Sequence, residues 1–254
     1  MMVRMSSVRK LMARVPREIA KTVRHPSRVL KLSDRKRRSA LGQALTVDAE
    51  WTGDGAFRTR SYRSYDDYVR HQSAKVALKG DLSEYDARFR AALAERLHSH
   101  PDVRPGMSAL CLAARIGTEV KAFGDAGCFA VGIDLNPADG DRYVLRGDFH
   151  ALQFADDCVD VVFTNSLDHA LDLERLLGEV RRVLKPAGLL LVEAMRGEEE
   201  GKNAGFYEAF HWERAEDLIS RIEASGFKLS GRDAIDQPWP GQHLRFRSGA
   251  DTRG

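Results

Sequence analysis

The chain has 254 residues, 43% of them hydrophobic, which is enough to bury one full core of catalytic size after some length is given to extensions. Its apolar runs all stay under about ten residues, too short for a membrane-spanning helix. Cys111, Cys128 and Cys158 have no metal-ligand spacing and read as packing residues of a reducing cytoplasm. The net charge of +3 hides a division, because residues 1–40 hold 13 Lys or Arg against Glu18 and Asp34. That segment is formally +11 and the remainder −8.

Within the basic arm, Met5, Val8, Met12, Val15 and Ile19 recur at three and four, so residues 3–24 are predicted as an amphipathic helix with Arg and Lys on the other face. Such a helix suits an anionic membrane surface, an acidic partner or the acidic body of its own chain; a mobile solvated tail is the plainer reading. No uninterrupted apolar segment follows the charges, which argues against a secretory signal, while an organelle-targeting peptide stays open. Nucleic acid is disfavoured as a partner because the arm lacks aromatic stacking residues.

Residues 46–73 are rich in Trp, Tyr, Arg and Ser without clean periodicity and include Trp51, Phe57, Tyr62, Tyr65 and Tyr68. Residues 81–99 read as a helix with Leu82, Tyr85, Phe89, Leu93 and Leu97 on one stripe.

The stretch 108–165 is the most informative. Ala109-Leu110-Cys111-Leu112 is a buried-strand run, and Ala113 to Glu119 makes a turn, with Gly117 near its end, that opens a helix to about Ala126. Ala130 to Asp134 is the next strand. A carboxylate at its tip, about 17 residues beyond the glycine, stands where a doubly wound sheet places the acceptor for two ribose hydroxyls; Asp134 before Asn136-Pro137 is otherwise an ordinary turn former. Tyr143-Val144-Leu145 reads as a third strand leading to Asp148, and Val159 to Asn165 as a fourth. Only about eight residues join the second and third strands, short for a parallel crossover, so its helix must be short or replaced by a loop, or the third strand is misplaced.

Farther on, Asp172–Leu184 is predicted helical with Leu173, Leu176, Leu177, Val180 and Val183 inward, and Pro186 marks the stop before a strand at Leu189–Glu193. Arg196–Asn203 reads as a charged loop and Trp212–Ser225 as a helix ended by Gly226. Phe227–Ile235 and His243–Phe246 pair across Gln237-Pro238-Trp239-Pro240-Gly241 as antiparallel strands.

With its closing segment Val183-Leu184-Lys185-Pro186-Ala187-Gly188-Leu189-Leu190-Leu191-Val192, the stretch from about 105 to 195 resembles the class I S-adenosylmethionine-dependent methyltransferases of the small-molecule branch. The resemblance implies an α/β, Rossmann-like, doubly wound, seven-stranded, mostly parallel sheet with an antiparallel C-terminal edge strand and an N-terminal helical extension. The chain then divides into an arm at 1–45, a cap at 46–104, the methyltransferase domain at 105–247 and a tail at 248–254. It implies S-adenosylmethionine as cofactor, with Gly117 beside its methionine part, Asp134 at the ribose, Leu135 among the cofactor-binding residues, Asp148 at the adenine amino group and Phe149 flanking the ring. Asn165 to His169 would face the transferred methyl, and the aromatic segment Trp51–Tyr68 would contact the acceptor, although an aromatic cluster more often packs.

The chain departs from that family at Cys111, which replaces an acid, and at Ala113 and Arg115, which replace loop glycines. Arg115 is expected to force the loop into a right-handed or extended form there. It suits the cofactor carboxylate, and Glu119 the cofactor ammonium that Cys111 cannot serve; the alternative is a solvated turn residue and a first-turn helix acid. Asp168 and His169 are candidates for a base that takes a proton from the acceptor, or else Asp168 or Ser166 caps the following helix and His169 lines the pocket. Asp148 has a capping alternative as well. Three functions follow: methyl transfer to a small-molecule or glycan-like acceptor, a catalytically inactive binding protein on the same fold, or a nicotinamide-dependent oxidoreductase, which the missing GxGxxG disfavours.

Overall fold

The computed structural model describes residues 50–249 except 54, 79–81 and 139. The basic arm with its predicted helix lies outside the described residues, as does most of the tail.

The strands are β1 (Glu50–Thr52), β2 (Phe57–Ser61), β3 (Ser108–Leu112), β4 (Phe129–Asp134), β5 (Val144–Arg146), β6 (Val159–Thr164), β7 (Leu184–Met195), β8 (Phe210–Trp212), β9 (Phe227–Ile235) and β10 (Gly241–Ser248). The helices, named here in chain order, are α1 (Tyr65–Leu78), α2 (Ser83–His98), α3 (Thr118–Asp125), α4 (Leu173–Val183) and α5 (Ala215–Ala224). Seven strands form the main sheet in the order β5-β4-β3-β6-β7-β10-β9, and β1-β2-β8 form a small second sheet. Strands β5, β4, β3, β6 and β7 run parallel, while β10 is antiparallel to both β7 and β9. The antiparallel strand is therefore the last but one, and β9 closes the edge. This is the Rossmann-like arrangement implied by the sequence.

Both faces of the sheet are covered, which is why its strands read as continuous apolar runs. Leu110 and Leu112 of β3 join one core with Val162, Leu190 and Val192, whereas Ala109 and Cys111 join the other with Val161, Phe163 and Leu191. Successive residues point to opposite faces, so each strand feeds two cores. Helix α4 seals the first core with Leu173, Leu176, Leu177, Val180 and Val183, all buried at its predicted spacing. Helix α2 brings Phe89, Leu93 and Leu97 to the second core.

Several local expectations change. The β4–β5 connection, residues 135–143, is a loop without a described helix, and β5 pairs in parallel with β4 where the third strand was expected. Helix α4 is capped by Asp172, whose carboxylate accepts the Arg175 amide at 3.0 Å. Neither Ser166 nor Asp168 caps it; Leu167–His169 is a separate 3-10 turn. Trp212 belongs to β8 and not to a helix, because its strand pairs with β2 and buries the indole at 3% exposure. The cap before the main sheet is also mixed, two strands followed by two helices.

The most recognisable segment of the sequence does structural work away from the site. Lys185 reaches Asp160 at 2.8 Å, and the Ser108 hydroxyl donates to the same carboxylate at 2.7 Å, tying three strands at the amino-terminal edge of the sheet.

Candidate cofactor and acceptor site

Strand order reverses between β3 and β6, since the chain leaves β3 toward β4 on one side and returns beside it as β6. Such a switch point leaves a crevice at the carboxyl ends of the strands. There the structure has a cavity of about 340 Å³, within the usual range for a small-molecule site. Ala113, Arg115, Glu119, Asp134, Leu135, Phe149, Asn165, Asp168 and His169 all line it. Gly117 and Asp148 do not.

The loop from β3 to α3 keeps a glycine-like backbone without the usual glycines. Ala113 has φ 55°, Arg115 φ 28° and Gly117 φ 67°. The expectation that Arg115 would turn the loop right-handed or extended is overturned. Left-handed backbone costs an L-residue roughly 1–2 kcal/mol, and hydrogen bonds offset it here. The Arg115 amide donates to Asp134 Oδ2 at 3.1 Å, and its carbonyl accepts the Ala138 amide at 2.7 Å. Gly132 on β4 makes room, because a Cβ there would lie 2.7 Å from the Ala114 methyl. Gly117 serves as the left-handed cap of α3.

Asp134 thus binds the loop at one oxygen, while its Oδ1 accepts the Asn136 amide at 2.6 Å. A carboxylate has about four acceptor positions, so two backbone amides and two hydroxyls of a ribose can share it. Arg115 lines the cavity, and among the described residues nothing hydrogen-bonds its buried Nε. A guanidinium with such an atom fits a ligand carboxylate. Glu119 is 6% exposed, accepts from Asn165 Nδ2 at 3.1 Å, and burial pushes its pKa up to about 7. Arg115 and Glu119 fit the carboxylate and ammonium of an amino-acid group.

Asp148 stands just outside the cavity while its neighbours Gly147 and Phe149 line it. Its carboxylate accepts the Tyr65 hydroxyl at 2.5 Å and the His150 ring and amide, each at 2.9 Å. Burial opposes its ionisation, but these hydrogen bonds prevail and hold the pKa at about 2. At the other end, His169 Nδ1 lies 3.0 Å from the Tyr207 carbonyl, which places the proton on Nδ1 and the lone pair of the neutral ring on Nε2. That Nε2 is 4.0 Å from Asp168 Oδ1.

Of the aromatic residues expected at the acceptor, Tyr68 lines the cavity and Trp51, Phe57, Tyr62 and Tyr65 do not. Phe57 stacks on Phe210 at 5.5 Å, and Tyr62 donates toward His71 Nδ1 at 2.9 Å, both packing roles. Helix α1 lines the cavity through Tyr68 and Gln72 and is tied to the surrounding loops: Tyr68 bonds the His169 carbonyl at 3.0 Å, Gln72 the Tyr207 carbonyl at 2.9 Å and Ser73 the Asn136 side chain at 3.2 Å. Sequence reasoning missed Gln72, Met195, Glu208 and Trp239 as lining residues and treated Tyr85 as packing. Nothing local marks them, since they come from α1, the end of β7 and two connections.

Residues 110–192 match a family profile described as a methyltransferase domain. Malonyl-[acyl-carrier protein] O-methyltransferase 1 of Coxiella burnetii is 33% identical over 135 residues, 48% of this chain and 47% of the relative, so the chain spans about half the length of that curated relative. In structure the chain is similar to 1,6-didemethyltoxoflavin-N1-methyltransferase of Burkholderia thailandensis, solved with 1,6-didemethyltoxoflavin and S-adenosylhomocysteine; the TM-score is 0.58 at 16% identity, over 79% of this chain and 100% of that one. A SAM-dependent methyltransferase from Aquifex aeolicus gives 0.51 at 17% identity, over 66% and 94%. At such identities these two likenesses bear on the fold. The matched profile spans β4 to β6 and most of β3 and β7, the strands that build the crevice, and marks residues 110–192 as similar to a methyltransferase domain.

Proposed function

We propose that the chain transfers a methyl group from S-adenosylmethionine to a small-molecule acceptor bound between α1 and the 3-10 turn Leu167–His169. The observation that carries this is the convergence of the Arg115 amide and the Asp134 carboxylate in the lining of one cavity. When bound, the cofactor supplies an electrophilic methyl on a sulfonium. Asp134 holds the ribose diol, with Leu135 and Phe149 as apolar walls. Arg115 and Glu119 take the two ends of the amino-acid group, and Gly117 fixes the helix behind them. Asp148 reaches the adenine amino group if Tyr65 yields its place.

Transfer from a sulfonium needs in-line approach, so orientation supplies much of the acceleration. Asn165, which bonds Glu119, and Asp168 border the space opposite the loop. His169 accepts the proton of a hydroxyl acceptor at Nε2, its ring oriented by the Tyr207 carbonyl and its charge compensated by Asp168. A glycan-like hydroxyl compound fits that chemistry; the Coxiella relative's name adds support for a small acyl acceptor. Retention of left-handed backbone at Ala113 and Arg115 favours an active enzyme over an inactive relative.

We further read 105–247 as the catalytic unit and 46–104 as its cap, supported by Tyr68 and Gln72 of α1 and Tyr85 of α2 lining the cavity. For the arm we propose peripheral contact with an anionic membrane surface, supported by its formal +11 charge and apolar stripe. No helix among the described residues is long and apolar enough to cross a membrane.

The test is formation of S-adenosylhomocysteine from S-adenosylmethionine with fractionated small-molecule extracts as acceptor source. Turnover above that of Asp134→Ala supports the proposal, and equal background rates across all fractions contradict it.

A further inference from the structure

The cavity has one wall that comes from far along the chain. Trp239 sits in the connection between β9 and β10 and lines the cavity together with Tyr85 of α2. Their rings lie nearly parallel, 9° apart with centroids at 6.1 Å, and Trp239 packs on Phe89 at 5.2 Å.

Both supports of this pair are fixed. Arg96 of α2 donates Nη1 to the Gln237 carbonyl at 3.0 Å and Nε to Glu193 Oε1 at 2.8 Å. Glu193 is 2% exposed and also faces His243 Nδ1 at 3.3 Å, so the C-terminal connection is moored through Arg96 to the middle of the sheet. On the other side, Asp86 of α2 accepts the Thr118 hydroxyl of α3, and Arg90 grips Asp125 with two bonds of 2.6 Å. These contacts hold α2 against α3 and with it Tyr85 over the loop.

Tyr85 is half-buried, and burial is the main influence on its hydroxyl, ahead of the charges near it. Glu119, Arg115, Glu193 and Asp86 all act on its hydroxyl. The first two are the groups suited to the ammonium and carboxylate of an amino acid. Resting on the cofactor reading above, we propose that Tyr85 and Trp239 form an aromatic wall for the methionine part of the cofactor, making the β9–β10 connection part of the cofactor site. An ammonium beside a buried carboxylate is held further by the negative faces of aromatic rings, and the effect grows where water is excluded. Trp239 then selects for ligands that carry the amino-acid group.

The test is calorimetry of the full chain with S-adenosylhomocysteine and with 5′-methylthioadenosine, which keeps the adenosine and the thioether but lacks the amino acid. Trp239→Ala is expected to weaken the first ligand by about tenfold and the second by less than about twofold, the scale of one desolvated aromatic–cation contact. Trp239→Phe, which retains an aromatic face, should stay within about threefold of wild type for both. A second readout needs no truncation: S-adenosylhomocysteine should change the tryptophan emission of the wild type more than methylthioadenosine does, and Trp239→Phe should abolish the difference. Unchanged affinity in Trp239→Ala, an equal loss for both ligands, or emission that responds alike to both would overturn the wall. A wild type that binds neither nucleoside would overturn the cofactor reading itself, and the wall with it.

Discussion

The Arg115 amide donates to the Asp134 carboxylate at 3.1 Å, across 19 residues of sequence, and so joins the loop after β3 to the tip of β4. One side chain both shapes the loop and presents acceptor positions to the cavity. The loop can therefore hold positive φ at Arg115, whose amide and carbonyl are both bonded, next to Ala114, whose amide donates to the Ile133 carbonyl.

Glycine substitutions should read that strain directly. Ala113→Gly relieves a left-handed alanine at the cost of more freedom in the unfolded chain, so stability should rise by up to about 1 kcal/mol in denaturant melts. Gly117→Ala should lose about 1–2 kcal/mol, since its φ is 67° and a Cβ would meet Asp141 Oδ2 at 3.2 Å. Arg115→Gly should fold at least as well as wild type yet bind S-adenosylhomocysteine roughly tenfold to a hundredfold more weakly, having lost a charged hydrogen-bond donor. A loss of stability in Ala113→Gly would show that the loop is not strained.

Glu119 should make cofactor binding depend on pH. Burial raises its pKa to about 7, so the free protein is partly protonated at neutrality. An ammonium partner favours the carboxylate, so binding releases a proton and affinity should climb as pH rises from 6 to 8. The folding contribution has the opposite sense: a carboxyl with a raised folded pKa lowers stability as pH rises from its unfolded value toward 7. Glu119→Gln should flatten both trends. Calorimetry in buffers of different ionisation enthalpy would count the proton, and a zero count in the wild type would refute the assignment.

Asp148 works in the other direction. Its folded pKa of about 2 lies below the ordinary aspartate range, so its stabilising contribution is present above about pH 4 and is lost as pH falls toward 2. Asp148→Asn should remove part of the acid-unfolding limb while changing stability at pH 7 in the destabilising direction. Tyr65→Phe, which deletes the 2.5 Å bond, should remove a smaller part of the same limb. Acid titrations followed by circular dichroism check this, and superimposable limbs would contradict it.

The core makes a simpler forecast. Leu177 is fully buried under the sheet, so Leu177→Ala should cost about 2–5 kcal/mol in thermal or denaturant unfolding. A loss below 1 kcal/mol would mean that α4 does not seal the core.

How far the sequence could be read follows from these same residues. Strands β3 and β6, helix α4 and the Leu189–Glu193 part of β7 were legible because their apolar residues face two cores or one stripe; the start of β7 was not, because Pro186, read as a stop, lies inside the strand with its exposed neighbour Ala187. Helix α1 was not, since Asp66, Asp67 and Arg70 interrupt its pattern and Tyr68 and His71 are buried by aromatic and polar contacts made with distant loops. Trp212 looked like a helix start because the strand it forms is three residues long and pairs with a segment about 150 residues away. Asp134 was legible from its place at a strand tip. The φ of Arg115 was not, because steric cost can be read from a residue type while the bonds that offset it depend on the fold. Trp239 reaches the cavity through a connection that sequence spacing cannot place.

The most direct measurement is calorimetric titration of the wild-type chain and Asp134→Ala with S-adenosylhomocysteine, with NAD as the control ligand. The account predicts binding of the homocysteine nucleoside by the wild type, a loss of about a hundredfold in Asp134→Ala, and no binding of NAD. Equal affinities in the two proteins, or a wild type that takes NAD and leaves S-adenosylhomocysteine, would contradict it.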